Sequence, residues 1–300
     1  MSDAAIMIDK LSKRYGHAPA LALDELSLHV QPGEIYGFLG PNGAGKSTTI
    51  RTLMNFIQPT TGGATILGQD VVADSVAIKR SVGYLASDMA MYGKLTGRQF
   101  LQYMTELQPG TDVHYRNQLM KRLQTEPDKR LGDLSRGNRQ KVAIVQAFMH
   151  QPAVLILDEP SSGLDPLMQE TFYDLLREAR ERGAAVFMSS HILSEVQKVC
   201  DRVGIIKAGK LIAERNIAEM VQDAAHTFEI SFADKPPLAE LRKLKGLKLD
   251  EHDDHSLTVH LHGELSPLLA VLGRHHVTKL EARQLDLEEL FMRYYGEDVS

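Results

Sequence analysis

The run Gly40-Pro-Asn-Gly-Ala-Gly-Lys46-Ser47 constrains this chain more tightly than any other stretch. Before it, residues 34–39 form a short apolar run that reads as a strand. After it, Ile50, Leu53, Met54 and Ile57 recur at helical spacing until Pro59 ends the pattern. Strand, glycine-rich turn and helix in that order make the setting of a phosphate-binding loop. Across Gly40, Pro41, Asn42, Gly43, Ala44 and Gly45 the glycines let backbone N–H groups converge on one concavity, and the helix N-terminus adds positive potential. Lys46 is then expected to reach the β- and γ-phosphates of a nucleotide, with Ser47 as a Mg²⁺ ligand and Thr48 as a neighbouring contact.

A second segment answers the first. Ala153-Val-Leu-Ile-Leu-Asp158-Glu159 is an apolar strand ending in two carboxylates. A buried strand delivers its terminal acid rigidly to the edge of a parallel sheet, where ligands bind. Asp158 is expected to hold Mg²⁺ through its water shell. Two adjacent like charges repel, so Glu159 points to a separate task, polarising an attacking water as general base.

Composition narrows the remaining classes. The chain has 300 residues, 43% of them hydrophobic and 24% charged, which supports a packed core and excludes a disordered chain. A net charge of -5 argues against a nucleic-acid footprint. The lone Cys200 excludes a disulfide framework and a multi-cysteine metal cluster. Apolar runs stay far short of the roughly 18 residues that span a bilayer, and the start MSDAAIMIDK lacks the apolar core of a secretory signal. The expectation is a cytoplasmic protein that meets a membrane only through a partner.

Organisation follows from pattern. Strand-like and helix-like runs alternate from residue 6 to about 222, with a polar helical stretch between Tyr92 and Leu131. Asp165-Pro166 reads as an N-cap and first-turn pair opening a helix, and residues 203–212 read as a hairpin turning at Ala208-Gly209. Residues 223–300 then read as β-α-β-β-α-β plus a final helix, the ferredoxin-like order. The final helix places Leu287, Leu290, Phe291 and Tyr294 on one face. His260 and His262 alternate with apolar neighbours and read as the outer face of a strand rather than metal ligands.

Taken together, these motifs resemble the ATP-binding cassette (ABC) family over about residues 4–220. Leu134-Ser-Arg-Gly-Asn138 lies where that family carries its LSGGQ signature, Ser162-Gly-Leu-Asp165 is similar to its D-loop, and His191 to its switch histidine. Tyr15 is placed like the aromatic that stacks on adenine. The resemblance implies an α/β P-loop cassette over 1–222, with a core parallel sheet, an antiparallel β subdomain and a helical subdomain. A small α+β ferredoxin-like domain over 223–300 would then serve regulation or dimerisation. It also implies ATP and Mg²⁺ as ligands, catalysis by Lys46, Glu159 and His191, and nucleotide contacts from Tyr15, Ser135, Gly137 and Asp165.

Two departures stand out. Arg136 and Asn138 replace the family's Gly and Gln, while Ser135 and Gly137 are kept. Ser87 occupies the position of a Gln or Glu that links Mg²⁺ and the attacking water to the transporter contact, and Asp88 is the candidate compensating carboxylate. The ending Leu287-Glu-Glu-Leu-Phe-Met-Arg-Tyr-Tyr295 resembles the ATPase subunits of ABC-2-type exporters. That resemblance implies a second cassette, identical or not, and a separate polytopic transmembrane permease, with no nucleic-acid partner. An importer ATPase with a C-terminal regulatory domain and a soluble ABC regulator acting on ribosomes or DNA are the alternative readings.

Overall fold

A computed structural model describes residues 4–16, 19–87, 91–108, 110–224, 227–261 and 264–283. Asp88, His262 and the segment 287–295 singled out above lie outside the described residues. Backbone packing divides the chain into Met1–Glu214 and Arg215–Ser300, whereas the sequence pattern puts the change of character at 222/223.

The first unit is built on a six-stranded sheet in the order Lys210–Asn216, Arg202–Lys207, Ile35–Leu39, Ala185–Ser190, Val154–Asp158, Val82–Leu85. Ile35–Leu39 pairs in parallel with both Ala185–Ser190 and Arg202–Lys207, and Val154–Asp158 pairs in parallel with its two neighbours. Strands covered on both faces read as unbroken apolar runs, and Ile35–Leu39, Val154–Asp158 and Ala185–Ser190 are buried at every residue. Their order has a direct consequence for function. The loops after Ile35–Leu39, Val154–Asp158 and Ala185–Ser190 leave adjacent strands at the same end of the sheet, where ligands of open α/β folds bind.

A second, antiparallel sheet runs Leu23–Val30, Ile6–Lys13, Thr61–Ile66, Gln69–Asp70. Here apolar and polar residues alternate, so one face packs: Ile6, Leu26, Val30 and Ile66 share a core with Phe38, Ile156 and Phe187 of the six-stranded sheet and with Ile50 of the helix Lys46–Leu53. The helical layer comprises Gly97–Leu107, Val113–Arg122 and Arg136–Phe148. Thr96 and Gln99 form a reciprocal capping box at its first helix, and Asp112 caps the second by accepting from the His114 N–H. The helix after the phosphate-binding loop, Lys46–Leu53, is shorter than its periodicity predicts, because Asn55 turns left-handed at φ 50° and ends it.

In the second unit the strands Thr227–Phe232, Leu247–Glu251, Ser256–Leu261 and Val277–Arg283 lie in the order second, third, first, fourth, every pair antiparallel. Inserting the third strand between the first two is the split βαβ arrangement of ferredoxin-like folds, as the element order leads one to expect. Leu241 and Leu268 from its helices close on Phe228, Ile230, Leu257 and Val259 of the sheet. No described helix of the chain is long and apolar enough to cross a membrane.

Candidate active site

The phosphate-binding loop depends on glycine at two places. Gly45 has φ 118°, and a Cβ there would lie 2.9 Å from the carbonyl oxygen of Ala22; at Gly40 a Cβ would lie 2.6 Å from that of Ile206. Gly45 is also the N-cap of Lys46–Leu53, so no side chain caps that helix, and its first turn holds no acidic residue. Its N-terminal N–H groups are therefore available to an anion. Pro41, Asn42 and Gly43 are exposed, Ala44 is buried, and Ser47 and Thr48 are half-buried at the loop's rim.

Lys46 is buried and arches over the loop, donating from Nζ to the carbonyls of Gly40 at 2.6 Å and Pro41 at 3.2 Å. Burial lowers its pKa, and the carboxylates of Glu159 and Asp158 oppose that shift. Asp158 is buried at its strand end, where the Ser189 hydroxyl donates to Oδ1 at 2.6 Å. The same Ser189 oxygen accepts from the Glu159 N–H at 3.1 Å. Glu159 itself is left-handed, with φ 47°, a conformation non-glycine residues hold at a cost and that clusters at functional sites. Its Oε1 lies 3.7 Å from Lys46 Nζ and 3.2 Å from His191 Nδ1. One oxygen thus faces the groups that end or follow three neighbouring strands.

Tyr15 lies at the flank of this group, with its hydroxyl 3.5 Å from Thr48 Oγ1 and the Lys13 ammonium 5.5 Å from its ring centroid. Its largely exposed ring is suited to stacking on a planar base. Ser135, Gly137 and Asp165 have their own local contacts. Ser135 caps the helix Arg136–Phe148, accepting from the Asn138 N–H at 3.2 Å. Gly137 presses so closely on the D-loop that a Cβ would lie 2.4 Å from the Gly163 oxygen. Arg136 donates to Ser162 Oγ at 3.0 Å, and Asn138 donates to Glu126 Oε1, so both departures from the family pattern have structural partners. Asp165 caps Pro166–Glu181 by accepting from the Met168 N–H at 3.0 Å. Ser87 is half-buried just beyond Val82–Leu85.

The donor set suits a phosphorylated ligand with a hard cation: uncapped N–H groups and an ammonium for phosphate, and a hydroxyl and a carboxylate oxygen, Ser47 and Asp158, for Mg²⁺. Sequence reasoning passed over Ser189, although a polar residue within the apolar, wholly buried strand Ala185–Ser190 was the available signal.

Comparison with known proteins bears on the same region. The family described as "ABC transporter" matches residues 23–162. The chain is 34% identical to the bacitracin transport ATP-binding protein BcrA of Bacillus licheniformis, over 95% of both chains. It is 28% identical to the Nod factor export ATP-binding protein I of Paraburkholderia xenovorans, over 100% of this chain and 99% of that one. Among solved structures, an ATP-binding subunit of an ABC transporter superposes with TM-score 0.67 at 27% identity, covering 73% of this chain and 92% of the other.

Proposed function

Because the chain belongs to the ABC transporter family as an ATP-hydrolysing, ATP-binding subunit, we propose that it powers an exporter from the cytoplasmic face of a membrane. The observation that carries this reading is the convergence of Lys46 and His191 on one oxygen of Glu159. In the proposed reaction Lys46 and the loop N–H groups bind the β- and γ-phosphates, and Glu159 takes the proton of the attacking water. His191 holds the Glu159 carboxylate in place, and Tyr15 stacks on the base. Ser47 and Asp158 would hold Mg²⁺, which neutralises charge on the phosphate oxygens.

Ser135 and Asp165 are engaged in capping their own helices, and Gly137 packs on Gly163. The proposed assembly is a head-to-tail pair of cassettes, identical or not, in which the signature and D-loop of one complete the nucleotide site of the other. ATP-driven closure would then move a separate polytopic permease. An apolar groove of about 590 Å³, lined by Phe56, Tyr84, Tyr92, Phe100 and Met104 among others, suits a permease helix and sits beside the strand that leads to Ser87. Export is favoured over import because a relative that aligns along the whole chain, the C-terminal unit included, carries an export name. The domain over 223–300 is proposed to act in regulation or dimerisation, and no nucleic-acid partner is proposed.

The test is affinity purification of the Glu159→Gln variant from solubilised membranes with MgATP. A polytopic membrane protein and a second cassette in the eluate support the reading, and co-sedimentation with ribosomes instead would overturn it.

A further inference from the structure

Glu159 and His191 are the groups whose separation matters most, yet neither side chain is fully buried. Glu159 is 24% exposed and His191 47%. Their positions must therefore be set through the backbone, from anchors nearby. Such anchors are present. Ser161 and Ser190 are buried, and both donate to one buried carboxylate: Ser161 Oγ to Glu195 Oε1 at 2.6 Å, and Ser190 Oγ to Glu195 Oε2 at 2.9 Å. Ser190 Oγ in turn accepts from the Ile192 N–H at 2.9 Å, which fixes the backbone on both sides of His191. The two segments that carry Glu159 and His191 are thus joined through Glu195, and all five residues line one cleft of about 210 Å³.

Glu195 is 6% exposed, and its hydrogen-bond partners among the described residues are the Ser161 and Ser190 hydroxyls. A buried carboxylate held by two hydroxyls in the first turn of the helix Leu193–Val199 still costs desolvation that an apolar side chain of the same size would not, which points to a role in geometry. Short hydrogen bonds to both oxygens give a fixed geometry that a hydrophobic residue would not. We infer that Glu195 is a positioning residue for ATP hydrolysis: it clamps Ser161 to Ser190 and thereby sets the approach of His191 to Glu159. This inference rests on the proposed roles of those two residues.

The experiment measures steady-state ATPase of the full chain in Glu195→Gln and in the Ser161→Ala/Ser190→Ala double variant, with nucleotide affinity measured separately. Glutamine keeps the volume but offers one acceptor oxygen in place of two. The expected result is a fall in kcat of about tenfold with KM and ATP affinity within about twofold, because the clamp does not touch Lys46 or the loop. In a His191→Ala background, Glu195→Gln should add nothing further, and in the otherwise native chain the His191 ring ¹⁵N resonances should move. Unchanged kcat in both variants, or an equal added loss without His191, overturns the inference. Should Glu195→Gln fail to fold, the serine variant carries the same test. Glu159→Gln serves as control: if it stays fully active, the proposed site fails, whereas an inactive Glu159→Gln beside an unaffected Glu195→Gln sinks only the clamp.

Discussion

Oε1 of Glu159 stands 3.2 Å from Nδ1 of His191, although the two follow different strands and neither is fully buried. Parallel pairing of Val154–Asp158 with Ala185–Ser190 brings their ends level, and the left-handed turn at Glu159 aims the carboxylate across the gap. A carboxylate held there by a side chain rather than by burial is sensitive to isosteric change.

Glu159→Gln should therefore lower turnover by roughly 10²-fold or more while ATP still binds, since the amide keeps the shape and loses the base. Single-turnover hydrolysis, with a binding titration on the same preparation, checks this. Hydrolysis at the native rate would remove Glu159 from the base role.

Lys46→Ala acts earlier in the cycle. It deletes the ammonium that bridges the Gly40 and Pro41 carbonyls and is proposed to bind the phosphates. ATP affinity should drop by about tenfold or more, read by calorimetric titration, with the melting temperature little changed. Native affinity would contradict phosphate binding at this loop.

Gly83→Ala should be strongly destabilising. Its Cβ would stand 2.1 Å from the backbone oxygen of Ala147 and 2.7 Å from Leu155 Cδ2 in the middle of the core. A backbone atom cannot swing aside, so a loss of about 3 kcal/mol is expected in a denaturant titration. A change under 1 kcal/mol would mean that the contact between this strand and Arg136–Phe148 is looser than it stands here.

His150 makes stability depend on pH. Burial lowers its pKa below the ordinary 6.5, so the unfolded chain binds a proton that the folded chain resists. Stability is then fully present above pH 6.5 and falls as the pH drops from there toward the lower folded value. Replacing His150 by Gln should flatten that part of the curve, as followed by denaturation midpoints between pH 7 and 5. An unchanged slope would assign the effect to other groups.

Removing everything after Asp223 should leave a folded chain that still binds ATP, since the core drawn from residues 5–206 and that drawn from residues 228–272 share no member. Circular dichroism and nucleotide binding of the shortened chain test this. A molten product would show that the first unit depends on the second.

The nucleotide-binding loop, the acidic strand end and the ferredoxin-like order were all legible in the chain, because each rests on local rules. A glycine-rich turn between strand and helix, an apolar run ending in acid, and a strand–helix alternation need no partner to be recognised. The helix end at Asn55 was not legible: Ile57 continues the apolar period, and only the left-handed backbone at Asn55 breaks it. Ser189 escaped notice because its neighbours announce a buried apolar strand, and its use depends on which strand pairs beside it.

The sequence by itself determined which groups make up the proposed site: the amides and ammonium of the loop, Asp158, Glu159 and His191. Tertiary structure alone decided which of them meet. Strand order sets Val154–Asp158 and Ile35–Leu39 on either side of Ala185–Ser190, so residues far apart in the chain share one edge. The same packing sets Gly137 and its neighbour Arg136 against Ser162 and Gly163. Spacing along a chain carries no information about that order. It emerges only when buried strands choose neighbours that cover both of their faces and satisfy their backbone hydrogen bonds.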